Sequence, residues 1–273
     1  MGRVIVAGGA PNMTVPSKSS NLPEIGTPLN DMTWADIRAI SDAGLASSYF
    51  NVGDRKAVTL NGTVGSLSLN GTYYCYIIGI NHNSAIEGTN RIHFQLGKTA
   101  LSGGTDVALC DSKYLNGGSD EAFRMNTQGT NSGGWNNSYM RKTICPAFKN
   151  ILPADLQNAI KSVTKYTNNT GASSEASAVT ATTDEIFLLS EYEVTGTIVN
   201  SNTNEPSKQA KYAYYSAGNT NIKYNHSSTS TAVYWWLRSP LASNTMSFVN
   251  MSESGPIYGP ASYSFGFAPA FCV

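Results

Sequence analysis

The residues able to do covalent or metal chemistry are few and scattered. Four cysteines, Cys75, Cys110, Cys145 and Cys272, form no C-x-x-C pair, and the three histidines, His82, His93 and His226, share no ligand spacing. A structural zinc site needs thiolates and imidazoles at short, regular intervals, so no metal and no cofactor is expected. Cys75, in Tyr-Tyr-Cys-Tyr-Ile-Ile, and Cys272, in the last apolar run, read as small core hydrophobes; the even count leaves disulfides open. Cys110 and Cys272 could be drawn as an oxidase pair, but Cys272 is the penultimate residue of a core-like strand. No G-x-S-x-G elbow offers a serine nucleophile. The carboxylates in Asp120-Glu121 and Asp184-Glu185 are adjacent, and an extended chain points such neighbours apart. They suit capping or solvation, and no catalytic residue is assigned. Arg238 follows two tryptophans, which fits stacking or a buried pair with a carboxylate in a structural role.

Binding chemistry is better represented. Two dense apolar runs, Val233 to Pro240 and Gly266 to Val273, bracket about twenty-five small and polar residues. The runs read as buried strands, and a terminal Phe-Cys-Val predicts a strand inserted between neighbours, since untied termini fray. The intervening residues are then a surface excursion on a rigid frame, the usual architecture of a binding site. Within it, Phe248, Tyr258 and Tyr263 offer rigid aromatic area, and Asn244, Asn250 and Ser252 offer adaptable hydrogen bonding. These six are the candidate ligand-binding residues. Trp34, Trp135, Trp236, Arg238 and Phe271 are assigned to the frame.

Composition narrows the partners. Charged residues make up 13% of the 273, with 18 basic against 18 acidic and no block of one sign. That is about half the usual charged share, and a nucleic-acid partner, which would call for a basic stripe, is not expected. Asn, Ser, Thr, Gly and Tyr take the space of Lys and Glu, as on adaptable binding surfaces and in many extracellular and virion proteins. No apolar run approaches the length of a membrane span, so no insertion is expected, and Met1 to Ala10 lacks the pattern of a secretory leader.

In chain order, residues 1–30 hold Pro11, Pro16, Pro23 and Pro28 and read as an extended arm, a docking segment with no core of its own. The same prolines forbid the helix a nucleotide-binding reading of Gly8-Gly9 would need. The globular domain, 31–273, opens with a helix in which Trp34, Ile37 and Ile40 share a face, capped by Asp31 or Thr33 and stopped at Gly44. Strands follow over 49–60, 67–69, 73–80 and 91–96, with Asn70-Gly71 as a hairpin turn. Residues 97–134 are irregular. A second helix is predicted between Pro153 and Lys165 from Leu156, Ile160 and Val163. Asp184 to Ser190 is a short buried strand.

The ordered set Trp34-x-x-Ile37-x-x-Ile40-Ser41, Val52-Gly53-Asp54, Trp135-x-x-Ser138-x-x-Arg141, Asp184-Glu185-Ile186-Phe187-Leu188-Leu189-Ser190, Trp235-Trp236-Leu237-Arg238-Ser239-Pro240 and Gly266-Phe267-Ala268-Pro269-Ala270-Phe271 resembles an uncharacterised domain family of Firmicutes and their bacteriophages, over roughly residues 31 to 273. Ala268 stands where that family more often has Arg. The resemblance implies an α+β, C-type-lectin-like fold, similar also to formylglycine-generating enzymes. Twisted antiparallel sheets carry two flanking helices, and terminal strands pair. It implies a calcium-independent version, because Glu205-Pro206 is followed by Ser207 and the lectin E-P-N signature is broken. The expected function is a non-enzymatic bacteriophage virion surface protein, decorating capsid or tail or binding the host surface. The arm would dock on other virion proteins, and the domain would meet a host glycan or protein; a homo-oligomer also suits such an arm. The alternative is a bacterial cell-surface or secreted adhesion module, and the third reading is a formylglycine-generating-type enzyme.

Overall fold

Thr33 and Asp36 set the first helix. The Asp36 N–H donates to Thr33 Oγ1 at 3.1 Å and the Thr33 N–H donates to the Asp36 carboxylate at 3.0 Å, a reciprocal cap that satisfies two free helix-end donors. The helix runs Trp34–Asp42 and buries Trp34, Ile37, Ile40 and Ser41. Behind it Trp34 meets Phe94 edge-on at 5.5 Å and Phe271 at 6.0 Å, while Phe94 and Phe271 stack at 5.4 Å.

The computed structural model describes residues 22–111 and 122–273. Its strands are β1 (Arg55–Val64), β2 (Leu67–Ile80), β3 (Ile92–Lys98), β4 (Val107–Ala108), β5 (Val163–Asn168), β6 (Val179–Asp184), β7 (Ile186–Phe187), β8 (Lys223–Asn225), β9 (Ser228–Val233), β10 (Trp235–Pro240), β11 (Ser247–Ser252), β12 (Gly255–Pro260) and β13 (Ala270–Cys272). Among the described residues they make a five-stranded sheet ordered β1-β2-β3-β13-β7, two three-stranded sheets, β10-β11-β12 and β4-β8-β9, and the hairpin β5-β6. Among the described residues every pairing between two of these strands is antiparallel except β4 with β8, and an isolated bridge from Trp235 to Gly266 is also parallel. The molecule is α+β, with short helices around these sheets. The final apolar run does enter a sheet between neighbours: Phe271 pairs with Phe94 on one side and Ile186 on the other. Among the described residues no helix is long and apolar enough to cross a membrane.

Several local expectations are corrected. Asn70-Gly71 does not turn the chain; Asn70 pairs with Asn61 inside the continuous strand β2, and the two-residue turn is Gly65-Ser66, between the paired Val64 and Leu67. Gly65 has φ +58°, the left-handed conformation that such a turn requires. The helix expected from 153 to 165 spans only Ala154–Ala159. Ile160 is already extended, and Val163, Tyr166 and Thr167 belong to β5, where β-branched and aromatic side chains pack better than on a helix. A helical segment went unforeseen: the π-helical turn Met140–Ile144 continues into Cys145–Asn150, with Pro146 in its first turn.

Of the arm expected over 1–30, residues 1–21 lie outside the described ones, and so does Asp120-Glu121. Residues 22–30 lie against the domain. Leu29 is buried and Leu22 packs on the core. The Tyr49 hydroxyl donates to the Pro23 carbonyl at 2.8 Å, Lys56 Nζ donates to the Asn30 carbonyl, and Asn30 Oδ1 accepts the Ala57 N–H.

Candidate functional site

The excursion between the two apolar runs is held from beneath by Asn131. This fully buried amide donates through Nδ2 to the carbonyls of Leu241, Asn244 and Ser247 at 2.8–3.1 Å, and its own N–H donates to the Thr245 carbonyl. Three acceptors share two protons, so the turn 241–247 is gathered onto one side chain. The hairpin β11–β12 then follows in regular register from Ser247↔Pro260 to Ser252↔Gly255.

Register decides which candidate residues face outward. Phe248, Asn250 and Ser252 alternate onto one face of β11, together with Trp236 and Gly259 on the flanking strands. Phe265 covers that face: its ring lies 4.6 Å from the Trp236 ring and reaches within 2.5 Å of the point where a Gly259 Cβ would stand. Phe248, Asn250 and Ser252 are therefore buried, which corrects their placement on the displayed surface. They failed as surface residues because β11 is the central strand of its sheet, covered on both faces. Asn244 is half-buried, and its Oδ1 accepts the Met246 N–H, shaping the turn. Tyr258 and Tyr263 are exposed, at 54% and 39%. Tyr258 lies on the opposite face of the sheet, paired with Val249, whereas Tyr263 packs its edge on Phe265 at 6.3 Å. Tyr234, inside the first apolar run, meets Phe265 at 5.8 Å and is 37% exposed. Tyr234, Phe265 and Tyr263 thus form one aromatic patch, and Tyr258 is a separate exposed ring.

The residues assigned to the frame are all buried. Trp135 Nε1 donates to Asp184 Oδ2 at 3.1 Å, and Arg141 Nε donates to Asp184 Oδ1 at 2.6 Å. Glu185 points away to Lys149 at 2.7 Å on the surface, so the two adjacent carboxylates do separate. Trp236 Nε1 donates to the Phe123 carbonyl at 2.9 Å. Arg238 makes a two-pronged pair with Glu193, NH2 reaching Oε1 at 2.8 Å and NH1 reaching Oε2, while Nε donates to Thr167 Oγ1 at 2.6 Å. Glu193 also completes a cap with Ser190 on the helix Glu191–Thr195.

From Glu193 the ionic network continues inward. Lys165 Nζ donates to Glu193 Oε1 at 3.1 Å, Glu87 Oε2 at 2.8 Å and the Tyr212 hydroxyl at 2.7 Å. Burial tends to raise the Glu193 pKa, but the Arg238 and Lys165 charges overcome it and hold the carboxyl well below its usual range. Burial lifts Glu87 to about 7, partly opposed by Lys165. His82 is pushed down to about 3 and His93 well below normal, by burial first and then by the Lys165 charge, so both imidazoles are neutral. Linear spacing had given no sign of a ligand cluster, yet folding brings ligand atoms of His82, Glu87 and Glu193 within 4.8 Å of one another. The cation between the two carboxylates is the protein's own ammonium, Lys165, so a divalent ion would have to displace it and add charge to a balanced, buried set. The donor set does not fit a metal.

The cysteines are free and buried. Burial pushes the thiols of Cys75 and Cys272 up to about 12 and those of Cys110 and Cys145 well above normal; thiols so held are poor nucleophiles. Cys272 Sγ lies 3.3 Å from His93 Nδ1.

Residues 105–273 match a family described as a domain of unknown function (DUF6273), and the chain belongs to that family. No curated protein and no solved structure matches it. The family match begins after β3, although β3 is the partner of β13 in the main sheet.

Proposed function

We propose that this chain is a non-enzymatic surface protein of a bacteriophage particle, with a C-type-lectin-like domain that attaches to the host surface through Tyr234 and the excursion of residues 241–265. The observation that carries the binding part is the Tyr234–Phe265–Tyr263 patch. Two exposed tyrosines are braced on a buried ring that rests on the Trp236 frame. Rigid aromatic area of this kind lowers the entropy cost of binding and often dominates its energy. The virion placement rests on the resemblance and on the low-charge, Asn/Ser/Thr/Tyr-rich composition.

Two measurements test it. The chain should be found by mass spectrometry in purified particles of the phage that encodes it; its presence instead in washed host cell walls without particles favours the adhesion module. Labelled protein should bind intact Gram-positive host cells, and the double variant Tyr234→Ala/Tyr263→Ala should bind at least tenfold more weakly. Its stability should stay within about 1 kcal/mol of wild type, because both side chains are partly exposed. Undiminished attachment of a folded double variant refutes the binding face.

A further inference from the structure

Where β3 of the main sheet ends, Lys98 stands directly opposite Asp106, the residue before β4, across an isolated antiparallel bridge. Both side chains are buried, at 5% and 6% exposure, and Lys98 Nζ donates to Asp106 Oδ1. Their enclosure is aromatic. The Tyr76 and Tyr214 rings lie 4.9 and 5.3 Å from Nζ, and the Tyr214 hydroxyl accepts from Nζ at 2.7 Å. As an ion pair this set is poorly satisfied. Asp106 Oδ2 is buried with no hydrogen-bond partner. A second buried amine, Lys223, lies in the field of the same carboxylate and makes no ion pair among the described residues. Charges taken out of water repay that cost only when their remaining lone pairs and protons are matched, and here they are not.

We propose that Lys98 and Asp106 close into an intramolecular isopeptide bond. The ammonium passes one proton along its hydrogen bond to Oδ1, leaving an amine and a carboxylic acid in a site where neutral forms are cheaper. The Nζ lone pair attacks Cγ, the Nζ–Cγ bond forms, and the carbonyl electron pair moves onto Oδ2. A second proton leaves Nζ and reaches Oδ1 by relay through the Tyr214 hydroxyl, which already touches Nζ. The Cγ–Oδ1 bond then breaks, Oδ2 becomes a carbonyl again and water departs. One amine and one acid give one amide and one water, so no oxidant, reductant or further reactant is needed. Two reacting groups held in contact have the proximity that makes an intramolecular step fast. The product replaces two buried charges by a neutral amide and turns the unpartnered charged oxygen into an ordinary carbonyl. It would also tie β3 of the main sheet covalently to the β4-β8-β9 sheet, whatever the protein attaches to.

The test is the intact mass of the full chain, measured under denaturing conditions, followed by a tryptic map. Wild type should be one water lighter than its sequence. Trypsin should fail to cut after Lys98 and should yield one peptide running from Ile92 to Lys113, also one water short. Lys98→Arg should have its full mass, and Tyr214→Phe should contain a larger share of full-mass chain than wild type. The wild-type measurement decides by itself even where a variant fails to fold. Full mass in wild type, with cleavage after Lys98, overturns the proposal and leaves a buried ion pair only. A mass deficit that persists in Lys98→Arg overturns it too, because the lost water would then come from cyclisation of an aspartate. If Tyr214→Phe closes as completely as wild type, the relay through that hydroxyl is refuted.

Discussion

Lys223 carries a buried ammonium. It is 1% exposed, its Nζ donates to the Tyr76 hydroxyl at 3.1 Å, and it faces the Tyr76 and Trp235 rings. Burial pushes its pKa from 10.5 down to about 8, with Asp106 opposing and Lys98 adding to the fall. Between those two values the unfolded chain holds a proton that the folded chain has released, so stability rises with pH there; below about 8 the charge is a full penalty. Lys223→Met should therefore stabilise the protein at pH 7, by up to roughly 3 kcal/mol, and the advantage over wild type should shrink as pH rises from about 8 toward 10.5. Urea melts of both proteins at pH 7 and pH 9.5 measure this, and a pH-independent gap would contradict the assignment. Arg238 shows the opposite arrangement, a buried charge with a matched carboxylate. Its sequence context fits stacking or a carboxylate pair alike, and the partner, Glu193, stands 45 residues away, so only the fold identifies it.

At the scale of elements, the excursion owes its shape to one side chain from a distant loop. Asn131 lies in the stretch 97–134 that carried no periodic signal, so nothing in the sequence separated it from its Gly, Ser and Asn neighbours. Asn131→Ala would remove this donor from the carbonyls of Leu241 and Asn244 and leave that of Ser247 with the Leu241 N–H. The expected cost is about 1–3 kcal/mol, with faster amide exchange confined to residues 241–247 and unchanged protection in β1–β3. Equal protection of 241–247 in variant and wild type would show that the turn is held by other contacts. The Gly65-Ser66 turn teaches a related point. Asn70-Gly71 has the better local turn chemistry, but placing the turn there would unpair Val64 from Leu67, and both Val64 and Leu69 are buried in the core. Long-range burial overrode local preference.

For the whole molecule, the order β1-β2-β3-β13-β7 ties the last residues to the first half of the domain. The segment 22–30 belongs to the same body: Leu29 is buried, and Lys56 and Ala57 on β1 bond to it. A chain starting at Leu22 should therefore melt higher than one starting at Asp31, by the roughly 1.5–3 kcal/mol that burial of one leucine contributes, plus the bonds at Asn30. Equal melting temperatures would return residues 22–30 to the arm.

The capped first helix, the buried apolar runs, the frame position of the tryptophans and the terminal strand between neighbours are legible in the residues themselves. Each of these rests on local pattern: spacing of apolar residues, a cap four residues long, or a run with no polar interruption. Only the tertiary structure decided that Phe248, Asn250 and Ser252 are inside, that Tyr234 is outside, and that His82, Glu87 and Glu193 converge on Lys165. The reason is physical. A strand's two faces are assigned by what packs on each, and β11 is buried along its whole length, with Phe265 covering one face, so alternation along the strand carries no record of which side meets water.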